Sequence, residues 1–124
     1  MEKYRVIKTI RETNDTTTIQ FVALDNKANY DFNPGQYITV YFPELGVPEG
    51  KAYSLSSLPT DDFISITVKS IGDYSKRICE LSVDDVFMAS SPYGFLFEDT
   101  GGPLVCITAG VGISPVWSII RSVL

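Results

Sequence analysis

The sequence predicts an all-β antiparallel Greek-key barrel with one short capping helix, followed by a β-strand, a glycine turn and a helix that open an α/β unit and stop there. Three observations carry this. Short runs rich in β-branched and aromatic residues recur along the first hundred positions with turn residues between them, the pattern of a barrel or sandwich. The period changes once, to helical spacing, just after Gly72. Residues 104–108 then form a continuous apolar run ahead of a glycine turn and a terminal helix, which suits a strand covered on both faces of a parallel sheet.

Residues 4–10 alternate as a strand. Residues 16–24 are a β-branched and aromatic run that starts after the turn residues Asn14 and Asp15, so the two pair antiparallel. Residues 25–29 are polar turn chemistry and Asn33-Pro34-Gly35 is a second turn. Residues 36–42 form a strand with Tyr37, Thr39 and Tyr41 on one face and Ile38, Val40 and Phe42 on the other. Gly46, Pro48 and Gly50 make 44–50 a loop. Strands follow over 52–58 and 63–69, split by Pro59-Thr60-Asp61-Asp62. A short helix over 75–81 opens at Gly72-Asp73-Tyr74-Ser75, with Asp73 and Ser75 as candidate caps. A strand over 83–89, a turn over 90–94 and a short apolar strand over 95–97 lead to the boundary 100–103, which divides the chain into domains 1–102 and 103–124. Pro115 stands in the first turn of the last helix, where its missing N–H costs little.

Composition narrows the function. One domain with a real core is the prior for 124 residues. The net charge of −5 lacks the basic surface that nucleic-acid binding requires, so no nucleic-acid partner is expected. Without a histidine, triad hydrolysis and histidine-ligated zinc are excluded, and no metal site is expected. Cys79 and Cys106 fit neither a metal spacing nor a disulfide framework, so reduced thiols are expected. The charged Met1-Glu2-Lys3-Tyr4-Arg5 start has no apolar core behind it. No apolar run approaches the roughly 20 residues of a membrane-spanning helix, and a cytoplasmic location is expected.

Three stretches have the chemistry to hold a phosphate or a planar ring. In Lys51-Ala52-Tyr53-Ser54 the strand period sends Lys51 and Tyr53 to one face and Ala52 and Ser54 to the other, offering a cation, an aromatic plate and a hydroxyl. A flat heteroaromatic ligand with a diphosphate tail needs those three things. Gly72 before a helix start lets backbone amides approach an anion. Gly110-Val111-Gly112-Ile113-Ser114-Pro115 occupies the dinucleotide position of an α/β sheet, although Pro115 stands where the usual fingerprint has glycine or alanine. Each stretch alone is also what an ordinary strand or capped helix looks like. Their order along the chain is the stronger signal.

The chain resembles the ferredoxin–NADP reductase superfamily of flavin oxidoreductases. Lys51-Ala52-Tyr53-Ser54 is similar to that family's Arg-x-Tyr-Ser motif, and Val68-Lys69 with Gly72-Asp73-Tyr74-Ser75 to its second flavin segment. Ser91-Pro92-Tyr93-Gly94-Phe95 is similar to its Gly-Pro-x-Gly-x-Phe turn, and the run from Thr108 to Pro115 to the opening of its nicotinamide domain. The resemblance implies an FAD-binding barrel, with FMN the lesser choice, and the start of a truncated α/β nucleotide-binding domain for NAD(P)H. It implies that Tyr53 packs on the flavin or its ribityl chain, and that Ser54 hydrogen-bonds near the ring nitrogen where hydride arrives, making Ser54 the catalytic residue. Lys51, with Gly72, Tyr74 and Ser75, would meet the pyrophosphate. Backbone groups around Val68 and Lys69 would address the pyrimidine edge of the ring, Gly110 and Gly112 would let nicotinamide approach, and Ala52 and Thr108 belong to the same cofactor-binding set. Hydride transfer needs no side-chain proton relay, so a chain without histidine suits it.

Two departures stand out. Lys51 replaces an arginine, exchanging a planar fork for a point charge, which weakens a bidentate phosphate contact. The nicotinamide portion ends after its first helix, as in a shortened chain or a subunit completed by another. Such a stub, with Val105, Ile107, Val116, Ile119 and Ile120, is expected to self-associate or bind a partner. The reading is the flavin portion of an NAD(P)H-dependent oxidoreductase that passes electrons to a protein or small acceptor. The alternative is an inactive barrel serving as a binding or regulatory module.

Overall fold

The computed structural model describes residues 1–25, 32–94 and 113–123. Six strands, β1 (Glu2–Arg11), β2 (Thr16–Ala23), β3 (Tyr37–Tyr41), β4 (Lys51–Ser54), β5 (Ile64–Lys69) and β6 (Val86–Ala89), form one antiparallel sheet in the order β4-β3-β6-β1-β2-β5. Its two ends meet. Just after β4, Leu55 bridges to Ile66 of β5 and the Ser56 amide donates to the Ser65 carbonyl at 2.9 Å, so the sheet curls into a Greek-key barrel. Helix α1 (Asp73–Cys79) lies between β5 and β6 in sequence, and α2 (Ile113–Val123) ends the described chain.

Alternation fills the interior. Tyr4 and Val6 of β1, Ile19 and Phe21 of β2, Ile38 and Val40 of β3, Ile64, Ile66 and Val68 of β5 and Phe87 of β6 are all buried. Tyr4, Phe21 and Phe87 meet with ring centroids 5.0 to 5.7 Å apart, two of the pairs edge to face. Helix α1 closes one end of this core. Its Tyr74 is buried, accepts the Phe42 amide at 2.7 Å and donates to the Val40 carbonyl at 2.9 Å. One phenol thereby satisfies two main-chain groups where β3 stops pairing.

Element boundaries differ from the sequence reading for local reasons. The strand expected over 52–58 is Lys51–Ser54, because beyond Leu55 side chains replace the ladder: the Ser57 hydroxyl takes the Ser65 amide at 2.9 Å and Asp61 takes the Leu58 amide at 2.8 Å. The strand expected over 83–89 is Val86–Ala89, since Asp84 adopts φ +75° in a turn whose Ser82 amide is held by Asp85. The helix expected over 75–81 begins two residues earlier. Asp73 therefore sits inside the first turn, and Ser75 reaches back to cap. The strands expected over 95–97 and 104–108 and most of the turn over 25–29 fall outside the described residues.

Tyr74→Phe is expected to lower unfolding free energy by about 1–3 kcal/mol, because the Phe42 amide and Val40 carbonyl lose a shared partner in a buried site. Urea titration checks this; an unaltered midpoint would contradict the role given to the phenol.

Candidate functional site

The site is built at the seam of the barrel. Strand β4 stands at one end of the strand order, paired among the described residues only with β3 from Lys51 to Ser54, and the bridge to β5 begins one residue later. A hollow of about 470 Å³ opens here between β4 and the start of α1, within the usual size of a small-ligand site. Leu45, Val47 and Ile71 supply apolar surface, Tyr53 and Tyr74 supply rings, and Lys51 and Asp73 are the charged residues of the lining. Gly50 sets the entry to β4. It adopts φ +70°, and a Cβ there would stand 2.6 Å from the Val40 carbonyl, so only glycine turns the chain this tightly into Lys51.

The start of α1 is held by Ser75. Its hydroxyl accepts the amides of Ile71 and Gly72 at 2.9 and 3.0 Å and donates to the Gly72 carbonyl at 3.1 Å. The hydroxyls of Ser75 and Tyr74 are thus committed within the protein. Among the described residues the donors left at this corner are the amides of Asp73 and Tyr74, the first of the helix, which have no intrahelical acceptor. Gly72 itself is extended, and a Cβ added to it meets no atom within 4 Å. Among the described residues neither backbone strain nor packing calls for glycine here.

Five of the predicted site residues come together in this hollow: Lys51, Tyr53, Gly72, Tyr74 and Ser75. Ala52 and Ser54 lie on the same strand and register against Thr39 and Tyr37, on the opposite face from Tyr53. Val68 and Lys69 do not line the hollow. Val68 is in the core opposite Thr17 with its carbonyl 3.4 Å from the Cys79 thiol, and the Lys69 ammonium lies 3.9 Å from Asp15. Thr108, Gly110 and Gly112 are outside the described residues.

Sequence reasoning passed over Leu45, Val47, Ile71 and Tyr37. Leu45 and Val47 reach the hollow because Pro43–Leu45 forms a 3₁₀ turn, a shape that loop composition does not announce. Tyr37 was readable from the β3 alternation. It stands beside Ser54 with its ring 4.4 Å from that of Tyr93, and Gly94 is required there because a Cβ would fall 2.2 Å from the Tyr37 ring.

Burial pushes the Tyr53 phenol up to about 12, with Tyr74 and Cys79 adding to the shift. The neutral ring is the form that belongs in the hollow. Between pH 10 and 12 the unfolded chain gives up this proton while the folded one keeps it, so stability falls as pH rises through that window. Tyr53→Phe is expected to lessen this alkaline loss, read from melting temperatures at pH 9 and above; an unchanged pH profile would place the phenol in water.

An antiparallel barrel with a ring, a lysine and free helix-start amides converging on its open seam is the architecture of a nucleotide-cofactor domain. A family model described as an FAD-binding domain matches residues 3–94, and the chain belongs to this family, the FAD-binding barrels of the ferredoxin–NADP reductase kind. It is 33% identical to a flavohemoprotein of Chromobacterium violaceum, over 98% of this chain and 33% of that protein. Among solved structures it is similar to the FAD/NAD-binding domain of a nitric oxide dioxygenase from Vibrio cholerae, with TM-score 0.85, 28% identity, and coverage of 98% of this chain and 56% of that one. It is also similar to a Malassezia yamatoensis flavohemoglobin with bound FAD and heme, with TM-score 0.81, 26% identity, and coverage of 98% and 34%. The chain thus spans about a third of the curated relative it matches. Among the described residues no helix is long and apolar enough to cross a membrane, and no cluster of three metal-ligating side chains occurs.

Proposed function

We propose that this chain is the flavin portion of an NAD(P)H-dependent oxidoreductase, with FAD lying along the open edge of β4. The observation that carries the reading is Gly72, a glycine that the fold does not need, on the wall of a hollow where a ligand would need it. In this reading Lys51 and the first amides of α1, those of Asp73 and Tyr74, hold the diphosphate, and the neutral Tyr53 ring packs against the flavin. Ser54, one residue on and facing the other way, addresses the edge of the ring, with Tyr37 beside it. Leu45, Val47 and Ile71 form the apolar end of the hollow and suit the adenine portion.

FAD, when bound, accepts a hydride from NAD(P)H and passes electrons onward. The chain's own part is placement and electrostatics. Tyr53 excludes water from one side of the ring, and Lys51 offsets phosphate charge beside Asp73. Residues 1–102 are the flavin domain in this reading, and 103–124 open the nicotinamide domain. The acceptor is a partner of the whole oxidoreductase, and Cys79, a free thiol, accords with a cytoplasmic setting.

Fluorescence titration with FAD tests the reading. Saturable, stoichiometric quenching is expected, and a chain that leaves free flavin fluorescence unaltered would sink it. Gly72→Ala is expected to leave thermal stability nearly unchanged while weakening FAD, since the added methyl meets ligand and no protein atom. Lys51→Ala is expected to weaken FAD by about 1.5 kcal/mol, the low end for a hydrogen bond to a charged group. Lys51→Arg is expected to tighten it.

A further inference from the structure

We infer that the turn after the flavin strand is a docking platform that fixes helix α2 relative to Tyr53 and Ser54, with Asp61 and Arg121 as its positioning residues. The inference rests on the flavin reading of β4.

Ser118 is fully buried in the middle of α2, and its hydroxyl donates to the Ser57 carbonyl at 2.7 Å, sixty-one residues away in sequence. A serine inside a helix ordinarily bonds back to its own preceding turn, as Ser122 does with the Ile119 carbonyl at 2.6 Å. Ser118 instead spends its donor on the barrel. One turn further on, the two terminal nitrogens of Arg121 reach both carboxylate oxygens of Asp61 at 3.1 and 3.3 Å, a two-point contact that fixes direction as well as distance. The Asp61 side chain is only 17% exposed, so this pair is screened far less than one in open water. Ile119 is buried between the two contacts, so the stub expected to be bare is covered on this side, while Trp117 and Val123 stay exposed.

The link from the platform back to the flavin strand has no slack. The Leu55 amide is held by the Gln36 carbonyl at 3.0 Å, the Ser56 amide by Ser65, and the Leu58 amide by Asp61. The Ser57 hydroxyl takes the Ser65 amide at 2.9 Å, and Ser57 is itself buried. Four consecutive residues after Ser54 are therefore pinned, and whatever orders β4 also orders the surface that α2 sits on. Helix and barrel move as one body, so the nicotinamide-side unit is presented to the flavin from one direction. Hydride transfer depends on placement at the ångström scale. Coupling of this kind is reciprocal: a ligand that stiffens β4 tightens the docking of α2.

The test is hydrogen exchange of residues 113–123, measured on the chain with and without FAD. The variants are Asp61→Asn, Arg121→Gln and the charge swap Asp61→Arg with Arg121→Asp. Arg121→Gln guards against the loss of the Leu58 contact in Asp61→Asn. Trp117, the only tryptophan, reports helix mobility independently through fluorescence anisotropy. Each single variant is expected to speed exchange of α2 about tenfold, the scale of a lost charge-assisted hydrogen bond, and the swap to restore the share carried by the ion pair but not the share carried by the Leu58 contact. Bound FAD is expected to slow α2 exchange in the wild type and in the swap, but in neither single variant, with FAD affinity in the single variants lower by the same factor as that slowing. Wild-type exchange rates in both single variants, or FAD that binds and leaves α2 unaltered, would overturn the proposal. A wild-type chain that binds no FAD overturns the flavin reading instead, an outcome the titration reports separately from the exchange rates.

Discussion

The structure depends on where the barrel closes. The bridge from Leu55 to Ile66, backed by the Ser56 amide on the Ser65 carbonyl, joins the two ends of the strand order, and it forms one residue after β4 has finished pairing with β3. Had closure begun at Lys51, the ladder would have consumed the edge of β4 and left a sealed wall. Closing late leaves a short strand with one edge unpaired among the described residues, and the start of α1 fills the gap only in part. The hollow and the placing of Lys51 and Tyr53 follow from that offset.

Much of this was legible beforehand because it rests on period and on turn residues. Alternation by two put Lys51 and Tyr53 on one face and Ser54 on the other, and the register against Ile38 and Val40 agrees. Gly72 with Ser75 three positions on marked the helix start, although Ser75 acts as a reciprocal cap and Asp73 does not cap. What stayed hidden was decided by side chains reaching across the fold. Ser57 and Asp61 ended β4 early by substituting for ladder partners, and nothing in the local run of Ser, Leu and Pro announces that. The embrace of Ser57 by Ser118 joins positions sixty-one residues apart, beyond the reach of any window.

Accounting for donors refines the family resemblance at this corner. The hydroxyls of Tyr74 and Ser75 are natural choices for a phosphate on paper, yet both are committed, one to the end of β3 and the other to the turn it caps. In the flavin reading proposed above, their part is to hold the start of α1 in place, so that its first amides face the hollow. Side chains that never touch a ligand can still set its site, because a buried polar atom left without its partner is costly and so holds its place.

The double bond of Tyr74 to β3 also bears on the order of assembly. A seven-residue helix is too short to persist by itself in water, and this one is tied through its phenol to strand positions more than thirty residues earlier. The corner facing β4 therefore comes into being only after the long-range strand pairing is complete. In the flavin reading proposed above, a nascent chain would have no half-formed cradle with which to capture the cofactor, so loading would follow folding, and the nucleotide would act as a late lock on a scaffold that must first assemble without it.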